Sequence, residues 1–154
     1  GAKVKAAPTV EHWGQAPEEH DYPAAARYLN LLLGPAEVKQ VVAGLKAAPL
    51  EHHQAKDLLR ASGLALLAVD NAHVAADLAK VKRGSKLSPV LLVRGDARHG
   101  TAMLIADGYH RVCASYHLDE NAQIPCHLAE LAAPRPRTRT TTRTRSSRGP
   151  ITVQ

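Results

Sequence analysis

The sequence predicts an α+β fold in which a small mixed sheet packs against helices. Apolar residues at helical spacing dominate the first half of the chain, and short apolar runs typical of strands follow only after residue 89. Connections of a few residues join these segments, which favours one compact domain. We therefore divide the chain into an N-terminal arm (1–20), a single domain (21–132) and an Arg/Thr-rich tail (133–154) that we expect to be disordered.

Four helices are predicted before the sheet. Residues 22–33 and 35–47 keep helical spacing, and Gly34 followed by Pro35 marks the boundary between them. A third helix over 54–62 has Gly63 as its C-terminal cap, and Asn71 caps a fourth over 72–82. The domain thus begins with a helical segment (21–63) that precedes a core (64–132).

The predicted sheet has three strands. Residues 90–93 form a continuous apolar run, and a polar turn leads from it into a second run over 102–106. Residues 124–128 supply the third strand. The first two are expected to lie next to each other because the turn between them is short.

The charge of the chain is concentrated in its tail. Six of the 20 Lys and Arg residues are arginines after residue 133, which leaves 14 basic against 14 acidic residues before it. No apolar run approaches the ~18 residues of a membrane span, and no signal-peptide core begins the chain. The two cysteines are too few for a disulfide framework. These features favour a cytoplasmic protein without a membrane partner.

The residues 103–117 predict a strand that passes through a glycine turn into a helix. Asp107 and Gly108 form the turn, and a helix that begins beside them leaves its first N–H groups unpaired, with the positive end of the dipole behind them. We expect an anion there, flanked by His110 and Arg111. Tyr109 is expected on a buried stripe that continues through Val112, Cys113 and Tyr116, with Arg111 pointing away from it.

The segment Ile105-Ala-Asp-Gly-Tyr-His-Arg111 resembles the signature box of the ParB/sulfiredoxin superfamily. Asp70-Asn71, Gly84 and the strand 87–93 stand upstream in the order that this family shows, and Ile124-Pro125 follows. The resemblance covers about residues 64–131. It implies a ParB/sulfiredoxin-like fold with a small mixed sheet.

Members of this superfamily have three different activities, and the residues of this chain distinguish among them. Tyr109 stands where sulfiredoxins have their cysteine, so their reducing activity is not expected. Too few residues follow Leu131 for the helix-turn-helix domain with which ParB proteins read DNA. The box is most similar to the Asp-Gly-His-His-Arg box of free-serine kinases, which implies phosphate binding at Gly108, His110 and Arg111.

The resulting hypothesis is a domain that binds ATP, ADP or CTP, with Mg²⁺ as a further candidate, and that transfers or hydrolyses a phosphate. Gly108, Tyr109, His110 and Arg111 are the expected binding residues. The candidate catalytic residues are Asp107, His110 and Glu51. Asp107 would hold Mg²⁺ or orient a hydroxyl group. The alternative interpretation is that Asp107 is a turn residue whose side chain hydrogen-bonds to its own backbone.

Three alternatives stay open. The polar segment 50–57 is either catalytic, with Glu51 as a base, or the solvated start of a helix. The nucleotide is either a substrate or only a regulator. The third alternative is that the protein is a noncatalytic nucleic-acid-binding or adaptor protein that uses its tail. No zinc site is expected, because His110 and His117 lie ~10 Å apart along one helix. The oligomeric state stays open.

We predict that the tail, if it binds DNA or RNA nonspecifically, does so through its arginines. Nucleic-acid affinity should then fall with salt by a slope near −0.9 per duplex phosphate contacted. Deletion of residues 134–154 should abolish retention on immobilised nucleic acid and leave nucleotide binding unchanged. Equal retention by the truncated protein would place the binding surface in the formally neutral domain instead.

Overall fold

A computed structural model describes residues 12–131, which form five α-helices and a four-stranded mixed sheet. The α+β class predicted from the sequence is confirmed. The tail and the first eleven residues of the arm lie outside the described residues. The elements are α1 (Asp21–Leu29), α2 (Pro35–Ala47), β1 (Glu51–Gln54), α3 (Ala55–Ser62), α4 (Ala72–Lys82), β2 (Val90–Val93), β3 (Leu104–Asp107), α5 (Tyr109–Leu118) and β4 (Gln123–Ala129).

The sheet has the order β1-β4-β2-β3, in which β4 and β2 are parallel and the two edge strands are antiparallel to their neighbours. Helices cover both of its faces. Leu91 and Val93 pack with α1 and α2, whereas Val90 and Leu92 pack with α3, α4 and α5. All four residues of β2 are buried for this reason, and a continuous apolar run is the pattern that such a strand requires.

The strand β1 corrects the prediction that residues 21–63 are wholly helical. It pairs antiparallel with β4, with Glu51 opposite Cys126 and Gln54 opposite Gln123. The alternative in which residues 50–57 are the solvated start of a helix is also wrong, because α3 begins only at Ala55. The four residues Glu-His-His-Gln carry no apolar alternation, so only backbone pairing with β4 makes them a strand.

The end of the first helix also differs from the prediction. Helix α1 ends at Leu29, and the N–H groups of Leu32 and Leu33 both bond to the carbonyl of Leu29 in a closing turn. Trp13 is 3% exposed and forms a parallel bridge with Leu87. The arm is therefore anchored to the core at this tryptophan, whose large side chain is buried there.

Helix α5 occupies the centre of one helical layer. Its residues Val112, Cys113, Ala114 and Ser115 are buried between β2, α3 and α4. Tyr109 is only half-buried, which corrects its place on a fully buried stripe, and its hydroxyl donates to the carbonyl of Ala65 at 2.5 Å. Among residues 12–131, none of the helices is long and apolar enough to cross a bilayer.

Gly108 connects β3 to α5 with φ at +112°, a value that side-chain-bearing residues rarely adopt. A Cβ at this position would overlap Cγ1 of Val90 and stand 2.9 Å from its Cβ. The start of α5 therefore lies directly against the start of β2. The geometry requires glycine for both its backbone angle and its lack of a side chain.

We predict that Gly108→Ala destabilises the protein more than Gly84→Ala. Both glycines have positive φ, at +112° and +85°, but a Cβ at Gly84 would meet no atom within 4 Å. The backbone strain of about 1–2 kcal/mol is shared, and Gly108→Ala adds overpacking of about 1–3 kcal/mol. Urea denaturation measures the loss of stability in both variants. Equal losses would show that β2 moves away from the added methyl group at no cost.

Candidate anion-binding site

A polar cleft of about 250 Å³ opens at the N-terminus of α5, between this helix and α4. The N–H groups of the first three residues of α5 precede the first bond of the helix, from Val112 to the carbonyl of Gly108, and so have no acceptor within it. Four side chains that can carry positive charge line the cleft beside two carboxyl groups. The lining consists of His73, Ala76, Asp77, Lys80, Asp107, Gly108, His110 and Arg111.

Arg111 lies inside the cleft wall rather than free in solvent. Its side chain is 15% exposed, and Nη2 donates to Oδ2 of Asp107 at 3.1 Å and to the carbonyl of Pro89 at 3.2 Å. Its Nε is buried and has no hydrogen-bond partner among the described residues. Arg111 thus flanks the N-terminus of α5, and its removal would leave Asp107 without this cation.

Asp77 is the strongest feature that the sequence analysis missed. It is 8% exposed, and burial raises the pKa of its carboxyl group although Lys80, at 3.9 Å, acts in the opposite direction. Arg111, His110 and His73 add weaker opposing effects. Asp77 follows Val74 by three residues and precedes Val81 by four, so it lies on the buried stripe of α4. A carboxyl group on an apolar stripe is the sequence signal that could have identified it.

The imidazoles of His73 and His110 lie against each other in the lining of the cleft, with their ring planes tilted by 38°. Their ring centroids are 4.6 Å apart, and burial, followed by the effect of His73, lowers the pKa of His110. This lowered pKa favours the neutral imidazole, which has one ring N–H to donate. The sequence indicated His110 but not His73, since 37 positions separate the two residues.

Asp107 contacts a second carboxyl group that comes from the other side of the sheet. The carboxyl group of Asp21 lies within hydrogen-bonding contact of Asp107, and Asp21 is 1% exposed. Burial raises the pKa of Asp107, Arg111 lowers it, and Asp21 raises it further. Asp107 stands in the cleft as predicted, but its environment differs from that of a turn aspartate that bonds only its own backbone.

Glu51 is not brought to this cleft. It lies on β1 at one edge of the sheet, whereas Asp107 ends β3 at the opposite edge, three interstrand steps or about 14 Å away. Its carboxylate is 2.8 Å from Nε2 of His53. Glu51 and Asp107 therefore do not share a cleft, which the sequence could not reveal because it gave no sign that residues 51–54 form the far edge strand.

The two cysteines serve packing rather than chemistry. Cys113 and Cys126 are both fully buried, and burial raises the pKa of Cys113 and raises that of Cys126 to about 12. Thiols with such pKa values are not thiolates at neutral pH and are weak nucleophiles. Within residues 12–131, no group of three or more His, Cys, Asp and Glu residues is arranged to hold a metal ion.

A second cleft, of about 400 Å³, lies at the opposite end of the sheet and has a different character. Its floor is apolar, with Leu58, Leu92 and Met103 among its residues. The charged groups at its rim are bonded to one another or to neighbours, as Arg94 is to Glu130 at 2.7 Å. It offers no helix N-terminus, so it does not compete with the α5 cleft as an anion site.

No protein-family model, curated protein or solved structure matches this chain. The function must therefore be argued from the geometry of the α5 cleft.

We predict that Asp77→Asn stabilises the folded protein at pH 8 but not at pH 4. Burial raises the pKa of Asp77, so the stability that its proton provides is lost as the pH rises through the folded-state value. An amide has no proton to lose. Thermal melts at the two pH values test this, with the exposed Asp70→Asn as a control. A lower melting temperature at pH 8 would mean that the attraction of Lys80 outweighs burial.

Proposed function

We propose that the α5 cleft binds the phosphate end of a nucleotide and that the domain has the ParB/sulfiredoxin-like arrangement suggested by its Asp107–Arg111 box. The cleft combines the N-terminus of α5 with Lys80, Arg111 and two imidazoles. Backbone N–H groups, a helix dipole and flanking cations are the features that favour phosphate at a helix N-terminus.

The position of Arg111 in the wall of the cleft is the observation on which this proposal mainly rests. Its side chain is 15% exposed and lines the cleft beside the N-terminus of α5, where a phosphate would meet the exposed part of the guanidinium. Nε has no acceptor among the described residues, and a buried donor without one costs about 1–3 kcal/mol, but Nε is too deeply buried to meet a ligand directly. Nη2 would keep its bond to the carbonyl of Pro89, which holds the guanidinium in place.

The size of the cleft limits what enters it. Its volume of about 250 Å³ is below the ~300–1,000 Å³ of pockets that enclose a drug-sized ligand. One or two phosphate groups fit, whereas a whole nucleotide does not. The base and ribose would then lie on the surface outside the cleft, and selectivity among ATP, ADP and CTP would depend on contacts there.

Each side chain of the cleft has a distinct role in this proposal. Lys80 supplies a mobile positive charge near the mouth, and neutral His110 donates a hydrogen bond. Asp107 would orient the hydroxyl group that attacks, if the phosphate is transferred. Mg²⁺ remains part of the hypothesis, since it is usually held by one or two carboxylates together with the substrate phosphates.

We predict that Lys80→Ala and His110→Ala each weaken binding of ATP or pyrophosphate by about tenfold or more, the typical effect of losing a hydrogen bond to a charged group. Lys82→Ala, a neighbouring exposed lysine outside the cleft lining, is the matched control. Calorimetric titration with ATP, ADP, CTP, GTP and pyrophosphate, with and without Mg²⁺, measures the affinities.

A phosphate-release assay on every nucleotide that binds then separates an enzyme from a nucleotide-regulated protein. Binding that is equally weakened by Lys82→Ala would indicate general attraction to charge rather than a site. Wild-type protein that binds none of these ligands, with or without Mg²⁺, would refute the proposal.

A further inference from the structure

The second cleft has an apolar floor to which α3, β2, β4 and the segment before β3 each contribute. Leu92 of β2 and Leu128 of β4 are paired neighbours in the sheet, and Leu58 of α3 belongs to the same apolar cluster. Met103, which precedes β3, completes the floor. The volume of about 400 Å³ lies within the ~300–1,000 Å³ of pockets that enclose small molecules, whereas the volume of the α5 cleft lies below that range.

The loop between β2 and β3 forms part of the rim, and backbone contacts fix its shape. Asp96 and Thr101 exchange two backbone hydrogen bonds, of 2.8 and 2.9 Å, and the carboxylate of Asp96 also accepts from the N–H of Arg98 at 3.0 Å. A Cβ at Gly95 would stand 2.5 Å from the carbonyl oxygen of Thr101, so the two sides of the loop approach closely. This part of the rim is therefore preorganised, and a ligand would not have to order it on binding.

The side chains that line the second cleft carry an excess of negative charge. Asp57 of α3 and Asp96 line it together with one guanidinium, that of Arg94. Nε of Arg94 donates to the carboxylate of Glu130 at 2.7 Å, so a group outside the lining already balances this positive charge. A cation in the cleft would therefore meet two carboxylates, whereas an anion would be repelled by them.

Both carboxylates are paired only with strongly exposed side chains. Arg60, 2.8 Å from Asp57, is 81% exposed, and His99, 2.6 Å from Asp96, is 76% exposed and charged only if it is protonated. Neither partner lines the cleft. Ion pairs this exposed contribute little to stability, so a ligand cation can share the two carboxylates at small cost.

His53 of β1 adds a further acceptor to the lining of the second cleft. Its Nε2 is 2.8 Å from Oε1 of Glu51, and a carboxylate can only accept, so the neutral ring carries its hydrogen on Nε2. Nδ1 then keeps a lone pair that can accept a hydrogen bond from an ammonium group. The polar groups of the lining are thus rich in acceptors.

We propose that the second cleft binds a small organic amine, whose aromatic or branched aliphatic body lies on the apolar floor and whose ammonium group meets the carboxylates of Asp57 and Asp96. At ~30 Å³ for a group the size of a water molecule, the cleft has room for roughly 13 non-hydrogen atoms. A primary ammonium group has three N–H donors for the acceptors of the lining. This amine site does not depend on phosphate binding at the α5 cleft.

Three indole compounds of nearly equal size test the proposal, since they differ mainly in charge. Tryptamine carries an ammonium group, tryptophol a neutral hydroxyl group and indole-3-acetate a carboxylate. Met103 is the single methionine of the chain, so protein labelled with carbon-13 at the methionine methyl group gives one NMR signal from the floor of the cleft. We expect tryptamine to shift this signal and to bind more tightly than tryptophol, by up to about fivefold for each carboxylate that the ammonium group meets. Indole-3-acetate should bind most weakly.

Two sets of variants, each with a matched control, locate the site. Ala61→Leu fills the cleft from an exposed position of α3 and should abolish the shift, whereas Ala79→Leu, at an exposed position of α4 outside the lining, should leave it unchanged. Asp57→Asn combined with Asp96→Asn should lower the affinity for tryptamine to that for tryptophol. Asp70→Asn, an exposed aspartate outside the lining, should keep the preference for tryptamine.

Equal affinity of the wild type for tryptamine and tryptophol, a preference for indole-3-acetate, or no binding of any of the three would overturn the proposal. Binding of tryptamine that leaves the Met103 signal in place, or that persists in Ala61→Leu, would also overturn it, because the site would then lie elsewhere. A Met103 signal that moves on deletion of residues 134–154, without any ligand, would show that the basic tail occupies the cleft instead of a small amine. None of these results bears on the α5 cleft, which the Lys80 and His110 variants test separately.

Discussion

The close approach of Gly108 to Val90 is the constraint on which the cleft depends. Because Gly108 has no side chain, the first turn of α5 lies directly against the start of β2. Arg111, one turn into the helix, can then reach the carbonyl of Pro89 and the carboxylate of Asp107. The backbone at the N-terminus of α5 and the side chains that flank it are positioned by one packing contact.

That contact also explains why residue 108 is a glycine, and the explanation needs no bound ligand. The positive φ and the overlap that a Cβ would make with Val90 suffice to require glycine at this position. A phosphate site is supported instead by Lys80, His110 and Arg111, whose side chains line the cleft beside the N-terminus of α5.

The sequence predicted those helices and strands whose structure is determined by their own residues. The apolar run 90–93, the Pro35 start of α2 and the Asn71 cap of α4 all have local physical causes, and the structure confirms them. Strand β1 could not be predicted, since its four polar or charged residues become a strand only by pairing with β4, about 70 residues later. Asp21 was missed for a similar reason. Asp107, whose carboxyl group it influences, is 86 positions away in the sequence.

Two carboxyl groups lie in the cleft that we propose to bind phosphate, and their burial reduces the conflict between these groups and an anion. Burial is the largest cause of the raised pKa of both Asp77 and Asp107, and it outweighs the nearby cations. A carboxyl group that retains its proton carries no charge and can donate a hydrogen bond to a phosphate oxygen. The desolvation that would make an ionised aspartate repel an anion thus favours the protonated form that can bind one. Lys80 and Arg111 would then act on the ligand with less of their charge cancelled by the protein itself.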